Sequence, residues 1–196
     1  MLVIDETFGM PDFVRDATTR LAQKGFVALA PDLLSRFGGT PPSADDARKA
    51  LAALDPDMIT RDLDAAAAYL RGLKPVDGAK LGVIGFGWGG GEGLRYAAHN
   101  PSVRVFVVCY GSPPKGFADF APIKGIGLGV YADRDGRVNQ GLYVMVRELQ
   151  KADVDYRFKI YPNAAHGFLR TLQPPQAALE AWEDILKFMN VWLNKK

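Results

Sequence analysis

The sequence has a single cysteine, Cys109, and only two histidines, His99 and His166, in 196 residues. One thiol excludes an intramolecular disulfide and a cysteine-built zinc site. With no H-E-x-x-H pattern either, neither a metal nor a cofactor is expected. No apolar run approaches the roughly 20 residues that span a bilayer, so no membrane role is expected. The opening MLVIDETFG lacks a basic start, a long apolar segment and a small-residue cleavage site, so it does not read as a signal peptide. A cytoplasmic protein is the expectation. An excess of one charge is missing as well: 24 basic and 22 acidic residues leave a formal charge of +2. That balance gives no footprint for nucleic acid. The densest basic patch, Lys195-Lys196, reads as a solubilising tail.

What is present is a chain that is 48% hydrophobic, enough for one domain with a sizeable core. MLVID starts a short strand. PDFVRDATTRLAQKG reads as a helix with Phe13, Ala17, Leu21 and Ala22 on one face and Gly25 as its stop. FVALAPDLL reads as a strand ended by Pro31. Residues 35–50 form a surface excursion or lid, with Gly, Pro and Ser concentrated over 35–46. DMITRDLDAAAAYLRGL is a helix with Ile59, Leu63, Ala66, Ala67 and Leu70 at helical spacing. Then come strand KLGVIGF, helix GGGEGLRYAAH and strand VRVFVVCYG, which is too continuously apolar to expose one face. IKGIGLGVYADRD carries a fifth strand, VDYRFKIYPNAAHGF a sixth, and helices follow each.

This alternation predicts an α/β three-layer sandwich, a mostly parallel sheet of about six strands with helices on both faces, over residues 1–196. Ligands in such sheets bind beyond the carboxyl ends of the strands. The positions just past those ends are Glu6, Gly87, Gly111 to Pro114, Asp135 and His166.

The stretch AKLGVIGFGWGGGEGLRYAAH admits two readings. Gly85, Gly87 and Gly90 match the G-x-G-x-x-G of a dinucleotide loop. That device belongs to the first β-α unit of its domain and needs an acid at the end of the next strand. This unit is the third, and the next strand ends FVVCYGS. The alternative is a nucleophile elbow, followed in chain order by an acid and a histidine after later strands. Asp135 and His166 supply those in the required order. His99 ends the elbow helix, where a cation suits the dipole, and reads as structural.

Taken together, VIDETFGMPDFVRDATTRLAQKGFVALAPDLL, GFGWGG, YADRDGRVN, YPNAAHGF and AALEAWEDILKFMNVWL resemble the dienelactone hydrolase family of α/β-hydrolases over nearly the whole chain. The resemblance implies an ester or lactone hydrolase with His166 as general base and Asp135 as its orienting acid, in preference to Asp133. Glu6 takes the place of the glutamate that meets the family's resting cysteine, and is free to pair with His166 or Arg170 here. The backbone N–H groups of Thr7 and Trp88 match an oxyanion hole. Trp88 is a candidate pocket wall, and Arg170 matches a carboxylate-binding arginine. The implied partner is a small ester, lactone or carboxylate.

Two departures stand out. Gly87 occupies the position where the family carries its cysteine nucleophile. The family's first strands have no counterpart, which leaves an open sheet edge; a second copy of the chain could cover it, or the sequence descends from a longer one. Cys109, inside an apolar strand, reads as a buried hydrophobe and not a substitute nucleophile. Ser112 lies in a different turn from the elbow. Glycine tolerates a strained elbow but brings no reactive atom. The expected activity is therefore weak or absent, through water drawn by His166 or Glu6, with a non-catalytic binding or structural protein as the alternative.

Overall fold

The computed structural model describes residues 1–117 and 119–194; Lys195 and Lys196 lie outside the described residues. Five strands form one sheet: β1 (Leu2–Ile4), β2 (Leu81–Phe86), β3 (Val103–Cys109), β4 (Ile126–Ala132) and β5 (Tyr156–Tyr161). They lie side by side in that order, and all four pairings are parallel. Every residue of β1, β2 and β4 is buried, as strands covered on both faces must be. The FVALAPDLL segment adds only one parallel bridge, Leu29 to Leu2. Its backbone exchanges two 2.9 Å bonds with β1, Val3 N–H to the Leu29 carbonyl and Leu29 N–H to that of Met1. The sheet is thus five strands and a one-bridge sixth, close to the expected number.

Alternation along the strands splits the core into two layers. Leu2, Ile4, Val83 and Phe106 face one cluster with Leu63 and Ala67 of α3 (Pro56–Gly72), Leu94 and Ala97 of α4 (Trp88–His99), and Leu142 and Leu149 of α5 (Gly136–Lys151). Val3, Ile84 and Val105 face the other. There they meet Val14, Ala17 and Leu21 of α1 (Asp12–Gln23) and Ala181, Ile185 and Met189 of α7 (Pro175–Asn194). In α1 the buried face uses Val14, while Ala22 is exposed and Phe13 only half-buried. The inward stripe is therefore centred one residue away from the expected one.

The 35–50 excursion contains a helix that the Gly-Pro-Ser composition hides. This is α2 (Ala44–Ala52), which buries Ala47 and Leu51. The Ser43 hydroxyl accepts from Asp46 N–H at 3.3 Å and caps it, the ordinary role of serine at a helix start. Upstream, Asp32 accepts from Leu34 N–H at 2.9 Å, Thr40 N–H at 3.0 Å and the Thr40 hydroxyl at 3.2 Å. Thr40 in turn accepts from Met10 N–H at 3.0 Å, tying the excursion to the loop after β1.

Among the described residues no helix is long and apolar enough to cross a membrane.

Candidate active site

The glycines of the elbow serve backbone packing. A Cβ on Gly85 would stand 2.0 Å from the Gly89 carbonyl oxygen, so strand β2 and helix α4 meet with no room for a side chain. Between them Gly87 sits at φ 53° and ψ −115°, a left-handed conformation that L side chains adopt only under strain. Its N–H donates to the Cys109 carbonyl at 2.9 Å, and its own carbonyl accepts from Gly90 N–H at 3.1 Å. The turn is fixed from both sides.

The direction a side chain at 87 would take is informative. A Cβ there would lie 3.5 Å from Glu6 Cγ, 3.7 Å from His166 Nε2 and 3.8 Å from Thr7 Oγ1. These are ordinary contact distances, and the neighbours come from two loops far apart in sequence, the one after β1 and the one after β5. His166 turns its other ring nitrogen to Asp135: Nδ1 and Oδ2 are 2.5 Å apart. Asp135 is buried, and its Oδ1 accepts from Val138 N–H at 3.2 Å, capping α5. One carboxylate thus starts a helix and orients the imidazole. Asp133 does neither; it is exposed and accepts from Asn163 N–H at 2.8 Å, bracing the loop before His166. Tyr110 packs edge-on against the imidazole, ring centroids 5.1 Å apart.

Glu6 is buried, and its Oε2 lies 2.8 Å from Arg170 Nε. The guanidinium also sits over the Phe8 ring, 5.5 Å from its centroid. Arg170 is therefore turned towards Glu6 and is not among the residues lining the cavity at Gly87. The Glu6 charge is felt nearby: burial first, and that charge second, hold the Tyr110 phenol and the Cys109 thiol well above their ordinary pKa values. Cys109, fully buried in β3, is kept as an unreactive thiol.

The cavity has a volume of about 500 Å3. Thr7, Gly87, Trp88, Tyr110 and His166 line its inner end. Trp88 is the first residue of α4, so its N–H has no acceptor within the helix. Thr7 N–H has no hydrogen-bond partner among the described residues. The outer wall comes from Leu51, Ala52 and Leu54 at the end of the excursion and Pro56 and Ile59 of α3. Ser112 also lines the cavity, in the turn after β3, beside Pro113 and Pro114.

Three charged lining residues escaped the sequence reading: Glu92, Lys115 and Arg137. Each lies a few positions past a strand's carboxyl end, the signal that could have found them. Glu92 is buried and pairs with Arg95 at 2.7 Å; burial raises its pKa against the pull of that guanidinium. Lys115 and Arg137 have no ion-pair partner among the described residues. A second cavity of similar volume opens between α3 and α4 around Asp64 and His99. There His99 Nε2 meets Asp64 at 3.0 Å and Tyr96 donates to the same residue at 2.9 Å, which ties the two helices together.

No group of three His, Cys, Asp or Glu among the described residues is placed to hold a metal.

The profile of the dienelactone hydrolase family matches residues 1–193. The chain belongs to the dienelactone hydrolase family. Its similarity extends to a Methylorubrum extorquens protein named "Putative carboxymethylenebutenolidase", 34% identical, covering all of this chain and 71% of the relative. A protein of the same name from Escherichia coli K12 is 32% identical, covering all of this chain and 78% of the relative. Among solved structures, "Putative Dienelactone Hydrolase from Klebsiella pneumoniae" superposes with a TM-score of 0.83 at 27% identity, covering all of this chain and 86% of that one. An acylaminoacyl peptidase of Pyrococcus horikoshii, at 14% identity and TM-score 0.77, shares the fold over 99% of this chain and 37% of its own.

Proposed function

We propose that this family member carries an ester- and lactone-hydrolase site in which His166, oriented by Asp135, is the general base and position 87 is the nucleophile position. With glycine there, turnover is weak or absent. One observation carries the reading: a side chain at 87 would emerge between His166 Nε2, Glu6 and Thr7. A base must lie within hydrogen-bond reach of the proton it takes, and a thiol one bond beyond that Cβ meets this condition. Family membership supports the same chemistry. The N–H groups of Thr7 and Trp88 then serve the carbonyl oxygen as its charge develops, a role that needs no particular side chain. Arg170 holds the Glu6 carboxylate in place, and Glu6 faces the nucleophile position.

The lining suggests which ester would fit. Leu51, Leu54, Ile59 and Trp88 offer apolar surface, and Lys115 and Arg137 offer two unpaired cations. A small ester or lactone with an apolar body and a carboxylate matches both. Those cations and the missing nucleophile also favour a second reading, a site that binds such a carboxylate without turning it over.

The test compares hydrolysis of a small activated aryl ester by this chain and by Gly87→Cys. The cysteine variant is expected to turn over and this chain to do so weakly or not at all. A folded Gly87→Cys protein without activity discards the hydrolase reading. Saturable binding of the ester by this chain, unchanged in His166→Ala and without turnover, would favour the binding reading.

A further inference from the structure

Gly87 leaves a notch walled by the groups that would activate a nucleophile. An ideal Cβ at 87 is in ordinary van der Waals contact with its three neighbours, so that space is neither collapsed nor filled by another side chain. The elbow keeps its left-handed backbone without the residue that usually requires it. His166 retains behind it a buried carboxylate that also caps α5. The notch opens on a cavity of about 500 Å3. His166 lines that cavity beside Gly87, so a free molecule held there can bring one heavy atom up to the imidazole, farther out than a bonded Cβ would stand.

We propose that this notch is an acceptor site for a small thiol, and that the protein catalyses acyl transfer from an ester to that thiol. The inference rests on the assignment of His166 as base made under the proposed function. Acidity selects the thiol over water. An ordinary thiol ionises near pH 8.5 and an imidazole near 6.5, so proton transfer between them is uphill by only about a hundredfold. Water is a far weaker acid and a far poorer proton donor to the same base. The thiolate is also the better nucleophile.

The step balances without a redox partner. The thiol S–H proton passes to His166 Nε2, and the sulfur bonds to the ester carbonyl carbon. The carbonyl oxygen takes up the charge beside the Thr7 and Trp88 N–H groups. The carbon–oxygen bond to the leaving group then breaks, and the departing oxygen takes the proton from His166. The products are a thioester and an alcohol or phenol. A sulfur that is not bonded to Cα stands farther out than a cysteine sulfur would, so bulk on the thiol competes with the ester for the cavity. Small thiols are therefore preferred.

The experiment uses the chain as it stands, an activated aryl ester, and either 2-mercaptoethanol or glutathione, with rates expressed per thiolate. Thioester is followed by mass. The expected result is saturable acceleration by 2-mercaptoethanol of roughly tenfold or more over the summed rates of protein alone and thiol alone. That is well within what a positioned general base supplies. Glutathione should accelerate less, and His166→Ala should abolish the effect. Gly87→Cys should turn over without any added thiol. If Gly87→Cys is active but this chain with thiol gives only the summed rates, the acceptor site is wrong and the hydrolase reading stands. If the folded Gly87→Cys is also inert, both fall. An acceleration equal for both thiols, or one that survives in His166→Ala, overturns the acceptor site as well.

Discussion

Asp5, one position ahead of Glu6, has no exposed surface, and neither of its carboxylate oxygens has a hydrogen-bond partner among the described residues. Burial raises its pKa well above the ordinary carboxylate value of 3.8, and the nearby charges of Asp32 and Glu6 push in the same direction. The folded chain therefore keeps the proton where the unfolded chain releases it. Stability from this site is whole below pH 3.8 and falls as pH rises from there towards the folded value. An Asp5→Asn protein has no such proton to hold. Its melting temperature relative to the parent should rise between pH 4 and 7, and parallel thermal melts would reveal that slope. A constant difference would mean Asp5 is ionised in the folded state. Position 87 carries a cost of the opposite kind. A non-glycine residue in its conformation is strained by about 1–3 kcal/mol, so the activity expected of Gly87→Cys should come with reduced stability in urea. The contact between Asp135 and His166 was legible in the sequence because chain order and strand ends constrain them. The engagement of Arg170 with Glu6 was legible only as one of two pairings. The choice depends on where a four-residue helix, α6 (Phe168–Thr171), directs the guanidinium.

At the level of elements, α2 shows why loop composition misleads. The Gly, Pro and Ser that suggested an excursion end at Ser43, and the same serine is the cap of the helix that follows. Leu51 of that helix is 2% exposed, belongs to the core and also lines the cavity. Leu51→Ala should cost about 2–5 kcal/mol in urea unfolding, the range for emptying a buried leucine. It should also weaken ester binding in the Gly87→Cys background, seen as a raised KM. A loss of stability with KM unchanged would separate α2 from the site. The strand at 26–34 misled in the other direction. Its apolar run is genuine, but only Leu29 pairs, because a strand exists by virtue of its neighbours and not of its own residues.

For the whole molecule, the alternation of elements dictates the layered parallel sheet, since buried strands and crossover helices leave few alternatives. It does not fix the shape of the cavity, which depends on side chains from α2, α3, α4, α5 and four loops meeting in space. The single cysteine makes the integrity of this assembly measurable. Cys109 is fully buried in the central strand, with its pKa raised by burial. A thiol reagent should find no reactive group in the folded protein and one in denaturant, so that labelling reports global opening. Fast labelling without denaturant would show that β3 is not the stable centre of the sheet.

The sheet also sets a timetable for the nascent chain. Leu2 pairs with Val83, and Gly127 with Tyr156. At the usual 5–20 residues per second, β1 waits about 4–16 s for its partner to be synthesised. Asp135 and His166 arrive later still, on either side of β5. During that interval β1 can make, of the sheet contacts described, only the single bridge to Leu29, a period in which a chaperone has reason to bind it.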